Sequence, residues 1–198
     1  MSEPILYTRG DGLARLTLNR PARLNAFNAD LARAWRDATT DAVGRDDVGA
    51  ILIDAAGPAF CAGGDVIDMA QSMSGGQDIT ALAGVINEGI RALVESDVPV
   101  VVAAHGTTAG GGLGILLSGD YAVVGANSRL GSLYANIGLT PDLSVSAQLA
   151  RAVGSDALCS SSCRTACSPA RRPATGAWSP RSWRGGCRIH RRRRPRAC

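Results

Sequence analysis

The sequence predicts an α/β fold, because short apolar runs with strand character recur along residues 1–158 and stretches with apolar residues at helical spacing alternate with them. Length allows it: 198 residues with 45% apolar content suffice for one domain with a sizeable core. No fixed-period repeat is evident, so the order of strand and helix, and not a repeating unit of sequence, carries the prediction.

Leu13–Leu18 alternates enough to read as a strand, and Asn19-Arg20-Pro21 ends it with turn chemistry. Asn28 is an N-cap for a helix over Ala29–Val43, where Leu31, Ala34, Trp35, Ala38 and Ala42 share one face and Gly44 supplies the stop. Ala50–Asp54, bounded by Gly49 and Ala55-Ala56-Gly57-Pro58, reads as a buried strand that runs into a loop carrying Phe60–Asp65. Ser74-Gly75-Gly76 reads as a hinge. After it, Leu82, Val85, Ile86, Ile90 and Leu93 predict a helix over Ile79–Glu95, with Pro99 marking its end. Val98–Ala104 is β-branched and apolar enough for a second buried strand, followed by a loop over His105–Gly110, a helix over Gly112–Ser118 and a strand over Tyr121–Gly125.

Charge divides the chain in two. Residues 1–158 carry 10 Arg against all 17 Asp and Glu, a net −7, whereas residues 159–198 carry 11 Arg and no acid, a net +11, which together give the +4 of the whole chain. No lysine occurs. Five of the 6 cysteines also lie beyond residue 158, leaving Cys61 alone in the body, which is not how a disulfide framework distributes thiols. Cys159, Cys163 and Cys167 lack the spacing of common zinc knuckles, so no metal site is predicted. Arg191–Arg194 has no aromatic or helical scaffold to present it to nucleic acid. The N-terminus lacks the apolar core of a signal peptide, and no apolar run reaches membrane-spanning length; the expectation is a cytoplasmic protein with neither a membrane nor a nucleic-acid partner.

Three phrases in order carry a family resemblance. Leu16-Thr17-Leu18-Asn19-Arg20-Pro21-Ala22-Arg23-Leu24-Asn25-Ala26-Phe27-Asn28 resembles the N-terminal strand and loop of the enoyl-CoA hydratase/isomerase, or crotonase, family. Ala59-Phe60-Cys61-Ala62-Gly63-Gly64-Asp65-Val66 resembles its first oxyanion loop, and Val98–Gly106 leading into Ala109-Gly110-Gly111-Gly112-Leu113 resembles its second. The resemblance implies a crotonase-like spiral of ββα units over residues 1–158. It places the two amides that hold a thioester oxygen at Ala62 and Gly111, with Gly63, Gly64, Val66 and Gly110 beside them in the binding site. It further brings Arg23, Leu24 and Ala26 to the nucleotide part of coenzyme A, with coenzyme A entering as part of the substrate and no separate cofactor. Arg23 has a second reading, as a solvated loop cation. Asp65 is expected to brace its loop rather than react.

Such amides have a physical purpose independent of the family. A thioester carbonyl gains negative charge when its α-carbon is deprotonated, so two N–H donors aimed at that oxygen lower the barrier, and glycines let the backbone come close enough to supply them.

The family's hydratases use two glutamates, and at the matching positions this chain has Gly114 and Tyr134, which cannot act as paired carboxylates. One carboxylate remains nearby, Asp142, in Ile137-Gly138-Leu139-Thr140-Pro141-Asp142, which is similar to the Gly-x-x-Pro-Asp segment of the family's isomerases. Asp142 has two readings, as a single general base and as the N-cap of a following helix. Tyr134 also has two, as a hydrogen-bond donor in the pocket and as packing. His105, at a strand end, is expected to bond backbone. The expected function is therefore enolate stabilisation on an acyl-CoA thioester, most simply an isomerisation, with a non-catalytic acyl-CoA-binding remnant as the alternative.

Residues 159–198 fit no helix or strand pattern. Read one base out of frame, codons compatible with this segment spell peptides similar to the family's continuation, so the segment is expected to be an out-of-frame, disordered tail that replaces the C-terminal helices. An intact chain of the family would form a trimer or a dimer of trimers; for this chain no oligomer is fixed by the sequence.

Overall fold

The computed structural model describes residues 3–72 and 75–153. The expectations for residues 159–198 lie outside the described residues.

A five-stranded sheet forms the base. Strands β1 (Ile5–Gly10) and β2 (Leu13–Leu18) make an antiparallel hairpin, and β3 (Ala50–Ala55), β4 (Val100–Ala104) and β6 (Tyr121–Val124) then add in parallel, in the order β1-β2-β3-β4-β6. The gap in that order is β5 (Thr107–Ala109), which leaves the first sheet and pairs with β7 (Arg129–Gly131) in a second layer. Cys61 joins β5 through a parallel bridge at Thr108, and Gly64 joins Phe27 through another, so the loop after β3 belongs to that second layer too. Each turn of chain thus gives one strand to each layer before a helix returns it, the spiral of ββα units that the resemblance implies.

Helix α1 (Ala29–Val43) forms as the pattern predicts, with the Asn28 side chain accepting the Leu31 N–H at 3.1 Å and Gly44 at its C-cap. It packs on α3 (Gly76–Glu95). Trp35, fully buried, donates its indole N–H to the Ile86 carbonyl at 3.1 Å, and its ring meets Phe27 edge-on at 6.3 Å. Among the described residues no helix is long and apolar enough to cross a membrane.

Several sequence expectations are corrected. Strand β3 alternates instead of being buried on both faces: Ile51 and Ile53 are buried, while Leu52 and Asp54 are only half-buried. Gly76 belongs to α3 and is no hinge. Strand β5 lies inside the segment read as a loop, and β1, β7 and helix α2 (Val66–Ser72) were not anticipated.

Candidate active site

The N-terminal phrase works as a clamp on the glycine loop that follows β3. Asn25, fully buried and left-handed at φ 54°, donates its side-chain amide to the Ala56 and Ala59 carbonyls at 2.9 and 2.8 Å and accepts the Arg20 N–H at 2.7 Å. Asparagine suits the position, because it tolerates the left-handed region and satisfies three buried backbone groups at once. Asn25→Ala leaves those groups unpaired and is expected to destabilise the protein by about 3 kcal/mol, measured by urea denaturation. Phe27 adds to the clamp by donating its N–H to the Gly63 carbonyl at 2.7 Å and accepting the Asp65 N–H at 2.9 Å.

Asp65 braces the loop as expected. Its buried carboxylate accepts from Arg20 (3.2 Å), from Arg23 through two nitrogens (3.0 and 3.2 Å) and from the Asp68 N–H at the start of α2 (3.2 Å). Burial pushes this carboxyl up, but the Asp68 amide and the two guanidinium groups pull it further down, below the ordinary carboxylate value.

Next to this loop lies the start of α4 (Gly111–Ser118). Gly63, at φ 103°, is where close approach requires a glycine: a Cβ there would sit 3.1 Å from the Ala109 carbonyl and 3.6 Å from the Gly111 nitrogen. The two glycine loops abut and wall a cavity of about 270 Å³. Its remaining wall is largely apolar, built from Leu82 and Ile86 of α3, Met69 of α2, and Leu143.

Of the residues singled out in the sequence, Ala62, Gly63, Gly64, Val66, Gly110, Gly111, Tyr134 and Asp142 all line this cavity. Arg23, Leu24, Ala26 and Asp65 do not; Arg23 is paired with Asp65 and Ala26 is buried. Ala62 needs a correction. Its N–H donates to the Leu24 carbonyl at 3.0 Å, so it cannot also serve a thioester oxygen. By contrast, the Gly64 and Gly111 amides have no partner among the described residues. Phe27 engages the Gly63 carbonyl and the Asp65 amide, and backbone groups alternate along an extended segment, so the Gly64 N–H faces away from Phe27. Gly111 opens α4, where the first amides of a helix are unpaired and the dipole is positive.

Tyr134 and Asp142 form the polar feature of the opposite wall. The Tyr134 hydroxyl donates to Asp142 Oδ1 at 2.6 Å while its ring packs in the core, so the tyrosine is both donor and packing. Burial first, then the neighbouring carboxylate, pushes the phenol well above its ordinary value, so it stays protonated. The N-cap reading of Asp142 is not what forms: its backbone carbonyl takes the Val145 N–H at 2.9 Å, while its carboxylate faces Tyr134. His105 bonds the Gly57 carbonyl through its ring at 2.7 Å. Cys61 is buried behind α4, and burial pushes its thiol up to about 12. Among the described residues no cluster of His, Cys, Asp or Glu could hold a metal ion.

Sequence reading missed Asn25, Arg20 and the apolar wall. The first two lie within a quoted phrase, but their partners are loop groups distant in sequence; the wall residues share the spacing of ordinary core.

Known proteins resemble this chain in sequence and in fold. The family model for enoyl-CoA hydratase/isomerase matches residues 13–159. Trans-2-decenoyl-acyl-carrier-protein isomerase of Streptococcus mutans is 33% identical over 152 residues, covering 76% of this chain and 58% of that protein. The 1,2-epoxyphenylacetyl-CoA isomerase of Escherichia coli is 31% identical over 156 residues, covering 78% of this chain and 60% of that protein. An enoyl-CoA hydratase from Mycobacterium smegmatis superposes with a TM-score of 0.75 at 27% identity, covering 81% of this chain and 62% of that one. The match to the two curated relatives therefore spans 58% and 60% of their length.

Proposed function

Because the chain belongs to the enoyl-CoA hydratase/isomerase family, we propose that it binds an acyl-CoA thioester in the cavity between the glycine loops and moves a carbon–carbon double bond along the acyl chain. The thioester oxygen sits between the Gly64 and Gly111 N–H groups. Asp142 takes a proton from the α-carbon, the electron pair moves into the carbonyl to give an enolate held by those amides, and the same proton returns at the γ-carbon. Removing one such donor typically costs about 3 kcal/mol of transition-state stabilisation.

The observation that carries this reading is the pairing of one carboxylate, Asp142, with two amides that, among the described residues, have no partner, around one cavity whose described lining includes no second acid. Hydration by paired carboxylates has no second partner, since Gly114 and Tyr134 occupy the matching positions. Two of the relatives are named isomerases, in keeping with it.

The test uses the full chain with 3-enoyl-CoA and 2-enoyl-CoA esters. Calorimetry is expected to show binding of both, and a rise in conjugated-enoyl absorbance from the 3-enoyl ester is expected without loss of absorbance from the 2-enoyl ester. Loss of that absorbance by hydration, or no binding, sinks the proposal. Binding without any turnover instead supports a non-catalytic acyl-CoA-binding protein, a reading favoured by Gly114 and Tyr134 at the positions where the family's hydratases carry glutamates.

A further inference from the structure

We propose that Tyr134 is a positioning residue that aims the Asp142 carboxylate into the cavity, an inference that rests on the reading of Asp142 as the base. Tyr134 begins the 3-10 turn Tyr134–Ile137, and Asp142 lies beyond the left-handed residue Gly138, so the bond between them closes the intervening loop. The hydroxyl engages Oδ1 alone, which leaves Oδ2 for the proton of a substrate.

The phenol end of the ring also lies beside the second glycine loop: a Cβ on Gly110 would sit 4.0 Å from Tyr134 Cζ. Donor, base and the segment carrying the Gly111 amide are therefore adjacent. A buried hydroxyl needs an acceptor, and the backbone of its own turn offers one in many proteins; here the acceptor is a side chain on the cavity wall. A hydrogen bond to one carboxylate oxygen fixes the direction in which the other oxygen points.

Few other groups compete. Among the described residues Tyr134 and Asp142 are the titratable ones that line the cavity, the neighbouring Cys61 thiol is held neutral by burial, and the Arg20, Arg23 and Asp65 cluster lies outside the cavity lining. Tyr134 itself is kept protonated, so it serves as donor and not as a second base.

The experiment compares the full chain with Tyr134→Phe, with Asp142→Asn, and with 3-fluorotyrosine introduced at position 134 alone. Proton NMR is expected to show a downfield, slowly exchanging hydroxyl proton that disappears in Tyr134→Phe and moves upfield in Asp142→Asn, where a neutral carboxamide oxygen replaces the carboxylate. Tyr134→Phe is expected to lower kcat about tenfold with KM within about twofold. Fluorotyrosine, a stronger donor of nearly the same shape, is expected to move the hydroxyl proton further downfield, and it decides the matter if Tyr134→Phe does not fold. A kcat for Tyr134→Phe within about twofold of wild type, or a hydroxyl proton that fluorotyrosine leaves unmoved, overturns the role of Tyr134. Asp142→Asn turning over at the wild-type rate overturns the base assignment, whereas an upfield move of the NMR proton in that variant still reports the pairing. A wild-type chain with no turnover overturns the catalytic role together with the proposed function.

Discussion

Asp142→Asn is expected to lower kcat for the double-bond shift by about 10²–10⁴-fold while KM changes by no more than about threefold. The carboxamide has nearly the size of the carboxylate and still offers Tyr134 an oxygen to donate to, so the wall of the cavity keeps its shape and only basicity is lost. Among the described residues no other acid lines the cavity to take over, and the buried Asp65 is engaged by two arginines and an amide. Thermal stability should stay close to wild type, because the Val145 N–H is taken by the backbone carbonyl of residue 142 and not by its side chain. A loss of rate with an unchanged melting temperature thus separates chemistry from packing. Retention of more than about half the wild-type kcat would remove Asp142 from the mechanism.

Much of the fold was legible in the sequence because its long elements announce themselves. Helix α1 has a capping asparagine, a helical stripe through Leu31 and Trp35, and a terminal glycine, and each does in the structure what its chemistry suggests. The elements that were not legible lack any pattern to read. Strand β1 is an edge strand in which Ile5 alone is buried, α2 buries none of its seven residues, and β5 and β7 have three residues each, too few for a period to register.

At the site, residue types were legible and directions were not. The glycine loops stand out by composition, but which N–H faces the cavity depends on the alternation of an extended backbone, and that is fixed by pairing with Leu24 and Phe27, 38 and 36 residues earlier than their partners Ala62 and Gly63. Ala62 and Gly64 differ in sequence by two positions and in the structure by whether the amide already has a partner. Arg23 shows the same limit: a loop cation is visible in the sequence, whereas its bidentate pairing to Asp65 exists only after the chain has folded back.

Gly114→Glu, which restores a carboxylate where the family's hydratases carry one, is expected to unfold the site and not to create a hydratase. A Cβ at this position would lie 2.7 Å from the Leu143 carbonyl oxygen, 2.9 Å from Leu143 Cβ and 3.3 Å from Val145 Cγ2. Two of those atoms belong to backbone or to the base of a side chain, so they cannot swing away. The segment over Gly114 has no slack either, since Leu143 and Ser144 both adopt left-handed backbone (φ 48° and 62°) on the way into α5 (Val145–Val153). Overpacking of this kind costs about 1–3 kcal/mol, and a buried carboxylate without a partner adds several more. The expected sum of about 4 kcal/mol lowers the melting temperature by roughly 10 °C. Gly114→Ala, which brings the steric conflict without the charge, should lie between Gly114→Glu and wild type in a thermal melt. The opposite result, a Gly114→Glu protein that melts like wild type and hydrates a 2-enoyl-CoA ester, would show that Leu143 moves aside readily. If it does not, hydration is closed to this chain by the way the entry to α5 lies on α4, and replacing one side chain leaves that packing in place.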